Sequence, residues 1–432
     1  MTKEKYTFID LFAGCGGLSY GMIQAGLECK WAIEIDENAC ATYRYNIGNH
    51  IVCDDVRNIN ADEIPQVDVV VGGFPCQPFS VSGLQGGFDG KDGDLFYQCV
   101  RFINAVKPKV FVLENVSGFA TLKKGYFLET ALSTLEKLGY IVSWKVLDCS
   151  DYSIPQTRKR IIIMGNKLGV ENLYPIPTYE KVSVKEAIDD IWQNPEHYHN
   201  NEPMKHSPRI VERFSYVEPG ETALDAMQKH PELGTAKITK QCYRRMRAEE
   251  PAPTIVANFV TTTIHYSQHR NLTAREAARI QTFPDDFIFQ GYKTRMSWQK
   301  SLSQFEQIGN AVPPRLAELL GNCIIRMMRG EAPKKVMQQP CYEQLSLELG
   351  GDQHVEPTRT QARGKSHSNR GRNSKYAAIY SEIENAQVGD QIVLSADIGN
   401  DFFTFLEGAM RRRSIKYKVI ETNGNKAVVR IA

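Results

Sequence analysis

Between Tyr6 and about Gly165 the chain repeats one unit: a short apolar run, a helix-like stretch, then another apolar run. That rhythm constrains the fold more than any other feature, because strands alternating with helical stretches read as crossover units on a parallel sheet. The candidate strands are Tyr6 to Leu11, Lys30 to Ile33, Ile51 to Cys53, Val67 to Val71, Val110 to Leu113, Ile141 to Val146 and Arg160 to Met164. The expected fold class is therefore α/β, a doubly wound and mostly parallel sheet. Ligands of such sheets gather in the crevice beyond the carboxyl ends of the strands, so the residue after each strand is the one to inspect. Here those positions hold Gly14, Gly16 and Gly17, then Glu34, Asp55, Cys76 and Glu114.

At 432 residues the chain exceeds one small core. We expect a catalytic domain over 1–180, a smaller proline-punctuated domain over 181–271, a return to the first domain over 272–330, a linker over 331–376, and a C-terminal α+β module over 377–432. Thr273 should cap a helix from Ala274 to Gln281, and Pro313-Pro314 should open a last helix to about Arg329. Pro357 to Tyr376 carries six Lys/Arg and no acid, a linker composition. Beyond it we expect a strand near Gln391 to Leu394, a helix near Phe402 to Arg411, and a hairpin turning at Asn423-Gly424.

A formal charge of +2 excludes wholesale wrapping of a polyanion, so any nucleic-acid contact must come from local patches. The ten cysteines are scattered without zinc or redox spacing, which predicts no metal site and a reducing compartment. Met1 to Asp10 has no apolar signal-peptide region, and the longest charge-free run, Val69 to Phe88, is too broken to span a bilayer.

The segment Phe12-Ala13-Gly14-Cys15-Gly16-Gly17 lies between an apolar strand and a helix, where glycines let a nucleotide approach the backbone and the helix N-terminus. It lacks the GxGxxG spacing of dinucleotide enzymes, and alone it fits a plain tight turn equally well. Glu34 ends the next strand, where an acid can hold ribose hydroxyls; Asp55 ends the third, where it can accept from an exocyclic amine. Cys76 sits past the fourth strand between Pro75 and Pro78, in a loop rather than in a core. Glu114 directly follows an apolar strand, a setting from which a carboxyl should be able to donate a proton. Arg158 and Arg160 open the last strand of the run and could reach the same crevice.

Together these segments resemble the DNA cytosine-5 methyltransferase family over residues 6 to about 325. The resemblance rests on the glycine block Phe12 to Gly17, on Glu34-Ile35-Asp36, Asp55-Val56 and Gly73-Phe-Pro-Cys-Gln-Pro-Phe-Ser80. Leu95-Phe96, Glu114-Asn115-Val116, Gln156 to Arg160, Leu272 to Phe287 and Gln307 to Pro314 complete it. The resemblance implies a Rossmann-like fold and S-adenosyl-L-methionine as cofactor. It would be held by Phe12, Ala13, Gly14, Cys15, Gly16, Gly17, Glu34, Ile35, Asp55, Val56, Pro75, Leu95, Asn310, Ala311 and Val312. It implies that Cys76 adds to C6 of a flipped cytosine, and that Glu114 protonates N3. Arg160 would bind O2, and Arg158 would orient Glu114 or stabilise the thiolate. The Phe74 carbonyl would accept from the exocyclic amine, with Gln77, Ser80 and Ser82 in the loop that meets the substrate.

Duplex DNA is the implied substrate, with a restriction endonuclease on the same site as a further partner. A bacterial cytoplasmic, nucleoid-associated monomer is the expected setting. Lys237 to Arg247 holds five Lys/Arg and no acid. We place sequence reading there, in Gln241 and Arg244, and in Thr254 of a Pro253-Thr254-Ile255 strand. The alternative is a tRNA cytosine-5 methyltransferase; a catalytically dead DNA-binding regulator would lack the Cys or Glu that this chain retains.

Overall fold

The structure, a computed structural model, describes residues 5–75, 93–233, 242–334, 391–393, 417–422 and 425–430. Cys76, Gln77, Ser80, Ser82, Gln241, the basic linker and the helix expected near Phe402 to Arg411 lie outside the described residues. The chain divides into two units, Met1–Cys341 and Tyr342–Ala432.

In the first unit the strands are β1 (Thr7–Leu11), β2 (Glu28–Glu34), β3 (Ile51–Cys53), β4 (Val69–Gly72), β5 (Val110–Val116), β6 (Ile141–Asp148) and β7 (Lys159–Asn166). They form one seven-stranded sheet in the order β3-β2-β1-β4-β5-β7-β6. All neighbours run parallel except β7, which is antiparallel to both β5 and β6. Between the strands lie helices α1 (Gly17–Gln24), α2 (Glu37–Asn46), α3 (Gly93–Val106) and α4 (Tyr126–Glu136). Successive strand residues point to opposite faces, so Phe8, Val69 and Val71 enter one core while Ile9 and Val70 enter the other. Burial on both faces explains why these strands read as unbroken apolar runs rather than alternating ones.

The chain then forms α5 (Val184–Gln193), α6 (Pro208–Ser215), α7 (Ala223–Lys229), and the short parallel strands β8 (Arg244–Arg245) and β9 (Thr263–Ile264). It returns through α8 (Ala274–Ile280), α9 (Gln304–Asn310) and α10 (Pro314–Met328). The signals that start these helices are local: Ser183, Thr222, Thr273 and Ser303 each form a capping box with an acid three residues on. α10 packs Leu316, Leu320 and Ile324 into the β1 face beside Leu18 and Met22 of α1. In the second unit β10 (Gln391–Val393), β11 (Tyr417–Thr422) and β12 (Asn425–Arg430) form an antiparallel sheet ordered β10-β12-β11, with Thr422 paired to Asn425.

Asp10, at the end of β1, is fully buried. Its Oδ2 accepts from Ser19 Oγ at 2.6 Å, which in turn accepts from the Tyr43 hydroxyl at 3.0 Å, and its Oδ1 has no partner. Burial raises its pKa from 3.8 to about 7, against the opposing hydrogen bond from Ser19. A carboxyl raised on folding contributes stability present below its ordinary pKa and lost as pH rises through the folded value. The full rise corresponds to on the order of 4 kcal/mol. Wild-type stability should therefore fall between about pH 4 and pH 7, and Asp10→Asn, a shape mimic of the protonated acid, should flatten that slope. Denaturation midpoints across this window decide it; equal slopes in both proteins would remove Asp10 as the cause.

Candidate functional site

Strand β5 outruns its parallel neighbour. β4 pairs with it only as far as Gly72 opposite Leu113, but antiparallel β7 carries the ladder on to Val116 opposite Arg160. Glu114 therefore lies inside a strand rather than after one, opposite Ile162. Two residues along β7 on the same face stands Arg160, and this diagonal relation brings its Nε to 2.8 Å from Glu114 Oε1. Both side chains are about 12% exposed. The apolar setting expected for Glu114 is thus corrected: the apolar strand leads to it, but an ion pair with Arg160 holds it.

The next residue along, Asn115, is buried and donates its side-chain amide to the Phe74 carbonyl at 3.1 Å. The Phe74 ring is buried between Phe96 and Phe119, with ring centres 5.8 and 5.7 Å away. This fixes the backbone that leads through Pro75 to Cys76. A Cβ on Gly73 would stand 3.3 Å from Glu114 Oε2, so the carboxylate lies directly against this backbone.

Arg160 also donates to the Lys159 carbonyl at 2.8 Å. Of the two roles expected of Arg158, orienting Glu114 is not what its hydrogen bonds do, and stabilising the thiolate involves Cys76, outside the described residues. Arg158 is almost fully buried and makes no hydrogen bond to Glu114; it donates to the carbonyls of Ile255 at 2.7 Å, Gly309 at 3.1 Å and Ala311 at 3.0 Å. Its Nε has no partner, and burial, with Arg160 close by, lowers its pKa. The physical reason is position: at the start of β7 it faces the backbone of two other segments before it reaches the carboxylate.

One cavity of about 520 Å³ joins these groups to the glycine loop. Its walls include Phe12, Ala13, Gly14 and Cys15, then Glu34, Ile35, Asp55 and Val56, and further round Pro75, Leu95, Asn310, Ala311 and Val312. Phe74, Glu114, Arg158 and Arg160 line the same cavity. Gly16 and Gly17 are not on the wall; they allow the turn beneath it. Gly16 has φ +101°, and a Cβ on Gly17 would strike the Val312 carbonyl at 2.3 Å, so the glycine loop and the closing motif touch backbone to backbone. The helix that follows starts at Gly17 and has no side-chain cap, leaving its first N–H groups to a ligand.

Glu34 is half-buried and accepts from the N–H groups of Gly14, Ile35 and Asp36, each at 2.9 Å. Burial raises its pKa against those bonds. Asp55 is corrected: both its oxygens accept from Arg57, at 2.9 Å to Nε for Oδ1 and 3.0 Å for Oδ2, which lowers its pKa. An amine would have to compete with a guanidinium two residues away, whose approach the three-residue helical turn Val56–Asn58 creates.

The cavity wall also includes Leu302, Gln307, Asp54 and Arg57, to which the sequence reading gave no role. Leu302 carries no sequence signal; its N–H reaches the Asp36 carboxylate at 2.7 Å across 266 residues.

Arg244 and Thr254 lie away from the cavity wall. Arg244 is exposed on β8 and donates to the Gly220 carbonyl at 2.5 Å. Its neighbour Arg245 is buried and binds the carbonyls of Phe214, Val217, His265 and Gln268, a structural role. Pro253-Thr254-Ile255 is not a strand, a further correction. Pro251 and Pro253 have no N–H to give a ladder, and only Ala252 bridges to Gln156. Thr254 Oγ1 donates to the Thr157 carbonyl at 2.7 Å.

Residues 6–326 match the C-5 cytosine-specific DNA methylase family. The chain is 36% identical to the Type II methyltransferase M.NgoFVII of Neisseria gonorrhoeae over 361 residues, covering 80% of this chain and 93% of that relative. It is 39% identical to M.PspPI of a Psychrobacter species, also over 361 residues, covering 78% of this chain and 82% of that one. A solved E. coli structure, of a prophage-encoded candidate DNA modification methyltransferase, superposes with a TM-score of 0.60 at 25% identity. That match covers 75% of this chain and all of the other.

Proposed function

The chain belongs to the C-5 cytosine-specific DNA methylase family, and from that premise we propose how its own residues methylate C5 of a cytosine in duplex DNA. The observation that carries the proposal is the Glu114–Arg160 pair, lying against the backbone that leads to Cys76, in one cavity with the glycine loop.

The family's methyl donor is of the S-adenosyl-L-methionine type, and when bound it supplies an electrophilic methyl on a sulfonium. The residues present fit such a group. The uncapped start of α1 suits a carboxylate, Glu34 suits ribose hydroxyls, and Ile35, 65% exposed, offers an apolar face to a purine. Phe12, Ala13, Gly14, Cys15, Val56, Leu95, Asn310, Ala311 and Val312 close the remaining walls, with Gly16 and Gly17 shaping the turn. Asp55 takes part through the backbone beside it while its carboxylate serves Arg57.

A base inside a duplex cannot reach this cavity, so the target is flipped out. Cytosine C5 is a weak nucleophile. Addition of the Cys76 thiolate at C6, with a proton placed on N3 by Glu114, turns the ring into an enamine whose C5 takes the methyl. Arg160 fixes the Glu114 carboxyl through Nε and turns its remaining N–H groups to O2. The Phe74 carbonyl, already held by Asn115, keeps a lone pair for the exocyclic amine. Loss of the C5 proton to water expels Cys76 as a thiolate, N3 returns its proton to Glu114, and neutral 5-methylcytosine is released. Arg158 acts here as a positioning residue.

The test uses the full chain, labelled S-adenosyl-L-methionine and duplex DNA carrying 5-fluorocytosine in its target site. A denaturant-resistant, labelled protein–DNA complex is expected, and none with small RNA. Label on RNA alone, or no adduct, would overturn the reading. Arg244→Ala should relax site choice at a penalty of about 1–3 kcal/mol for the cognate sequence, the worth of a base-reading arginine. Filter binding against a panel of sequences checks this; equal weakening on all of them would make Arg244 a phosphate contact.

We further propose that a restriction endonuclease cutting the same sequence is the biological counterpart and that the enzyme works as a monomer on the bacterial nucleoid; the likeness to Type II methyltransferases supports the first of these. Among the described residues no helix is long and apolar enough to cross a membrane.

A further inference from the structure

Two fully buried glutamines join parts of the chain that serve different ligands. Gln156, just before β7, accepts the Ile255 N–H on Oε1 at 2.8 Å and donates from Nε2 to Gln281 Oε1 at 2.8 Å. Gln281, which follows α8, donates in turn to the Ile308 carbonyl at 2.7 Å. A backbone donor stands at one end and a backbone acceptor at the other, so both amides can point only one way. Arg158 closes a second arm in parallel: it holds the Ile255 carbonyl and the carbonyls of Gly309 and Ala311. Ile255 is thus clamped at both backbone groups, and both arms end on the segment that carries the cavity residues Asn310, Ala311 and Val312. The contact leaves no room: a Cβ on Gly309 would lie 2.3 Å from the Val256 backbone.

We propose that Gln156 and Gln281 are positioning residues that make cofactor binding and DNA binding reciprocal, by tying the segment around Ile255 to the cofactor wall at 308–312. This rests on the cofactor and recognition sites proposed above. The physical argument is that a buried chain of amides with fixed polarity loses all its members when one end loosens, because each unpaired group stays desolvated. A ligand that orders residues 308–312 therefore orders Ile255 as well. DNA contacting the segment next to Thr254 then meets an already ordered partner, and the coupling works equally in the reverse direction.

The experiment measures the dissociation constant of the full chain for duplex DNA carrying its own methylation site, with and without saturating S-adenosylhomocysteine. Wild type, Gln281→Met and Gln156→Met are compared, together with hydrogen exchange at the Ile255 amide. In wild type the cofactor product should tighten DNA by about five-fold or more and slow exchange at Ile255, within the range typical of coupled sites. In each variant the ratio should fall toward one, while S-adenosylhomocysteine alone still binds. A wild-type ratio of one, or a ratio unchanged in variants that weaken both ligands, would overturn the coupling. So would exchange at Ile255 that ignores the cofactor, which needs no variant to fold. Failure of wild type to bind S-adenosylhomocysteine at all would instead strike the proposed cofactor site, and the two failures are read separately.

Discussion

Cys76→Ser is expected to reduce methyl transfer to background and to remove the adduct with 5-fluorocytosine DNA. The reacting species is a thiolate, and a serine hydroxyl in the same place is far too weak an acid to supply the matching anion at neutral pH. The effect should be confined to chemistry, because the nearby Phe74 is held by other contacts: the Phe96 and Phe119 rings and the Asn115 amide. Affinity for S-adenosylhomocysteine, measured by calorimetry, should survive. An adduct that persists in the serine variant would mean that another group attacks the ring.

Glu114→Gln should slow the single-turnover rate by about 10²-fold or more while leaving DNA and cofactor affinity in place, the expectation for loss of a general acid. The amide can still accept from Arg160 through its oxygen, so the 2.8 Å contact across β5 and β7 has a neutral successor. What the amide cannot do is hand a proton to N3. Rapid-quench measurement of methyl incorporation separates the two, and a normal rate would remove Glu114 from proton transfer.

The sheet is legible because its central strands β1 and β4 are short and buried on both faces. All seven expected strands have counterparts, within a few residues at their ends. The end of β5 was misjudged, since periodicity inside one strand says nothing about an antiparallel neighbour that prolongs it. That same neighbour supplies Arg160, so the nature of the Glu114 environment was hidden with it. Asp55 was placed correctly on the cavity wall, but its engagement with Arg57 follows from a helical turn of three residues, too short to leave a pattern. The hydrogen bonds of Arg158 are not legible in the sequence because its partners are carbonyls at positions 255, 309 and 311. Backbone acceptors are identical at every residue and leave no trace in a sequence. Gln281 escaped notice for a similar reason: a buried amide looks like any polar residue at the end of a helix.

On the proposal that the segment around Arg244 reads the DNA sequence, the backbone contact between Gly309 and Val256 constrains how this chain's specificity can be exchanged. A graft of a foreign reading segment transplants well only if its join avoids this seam, because no side chain is present there to absorb a misfit. Junctions placed before Glu250 and after Thr261 would carry Ala252 to Val256 over as foreign backbone, and any difference in its path would displace the cofactor wall. Chimeras that instead keep residues 252–257 from this chain and replace only what precedes them should retain turnover while changing the sequence they mark.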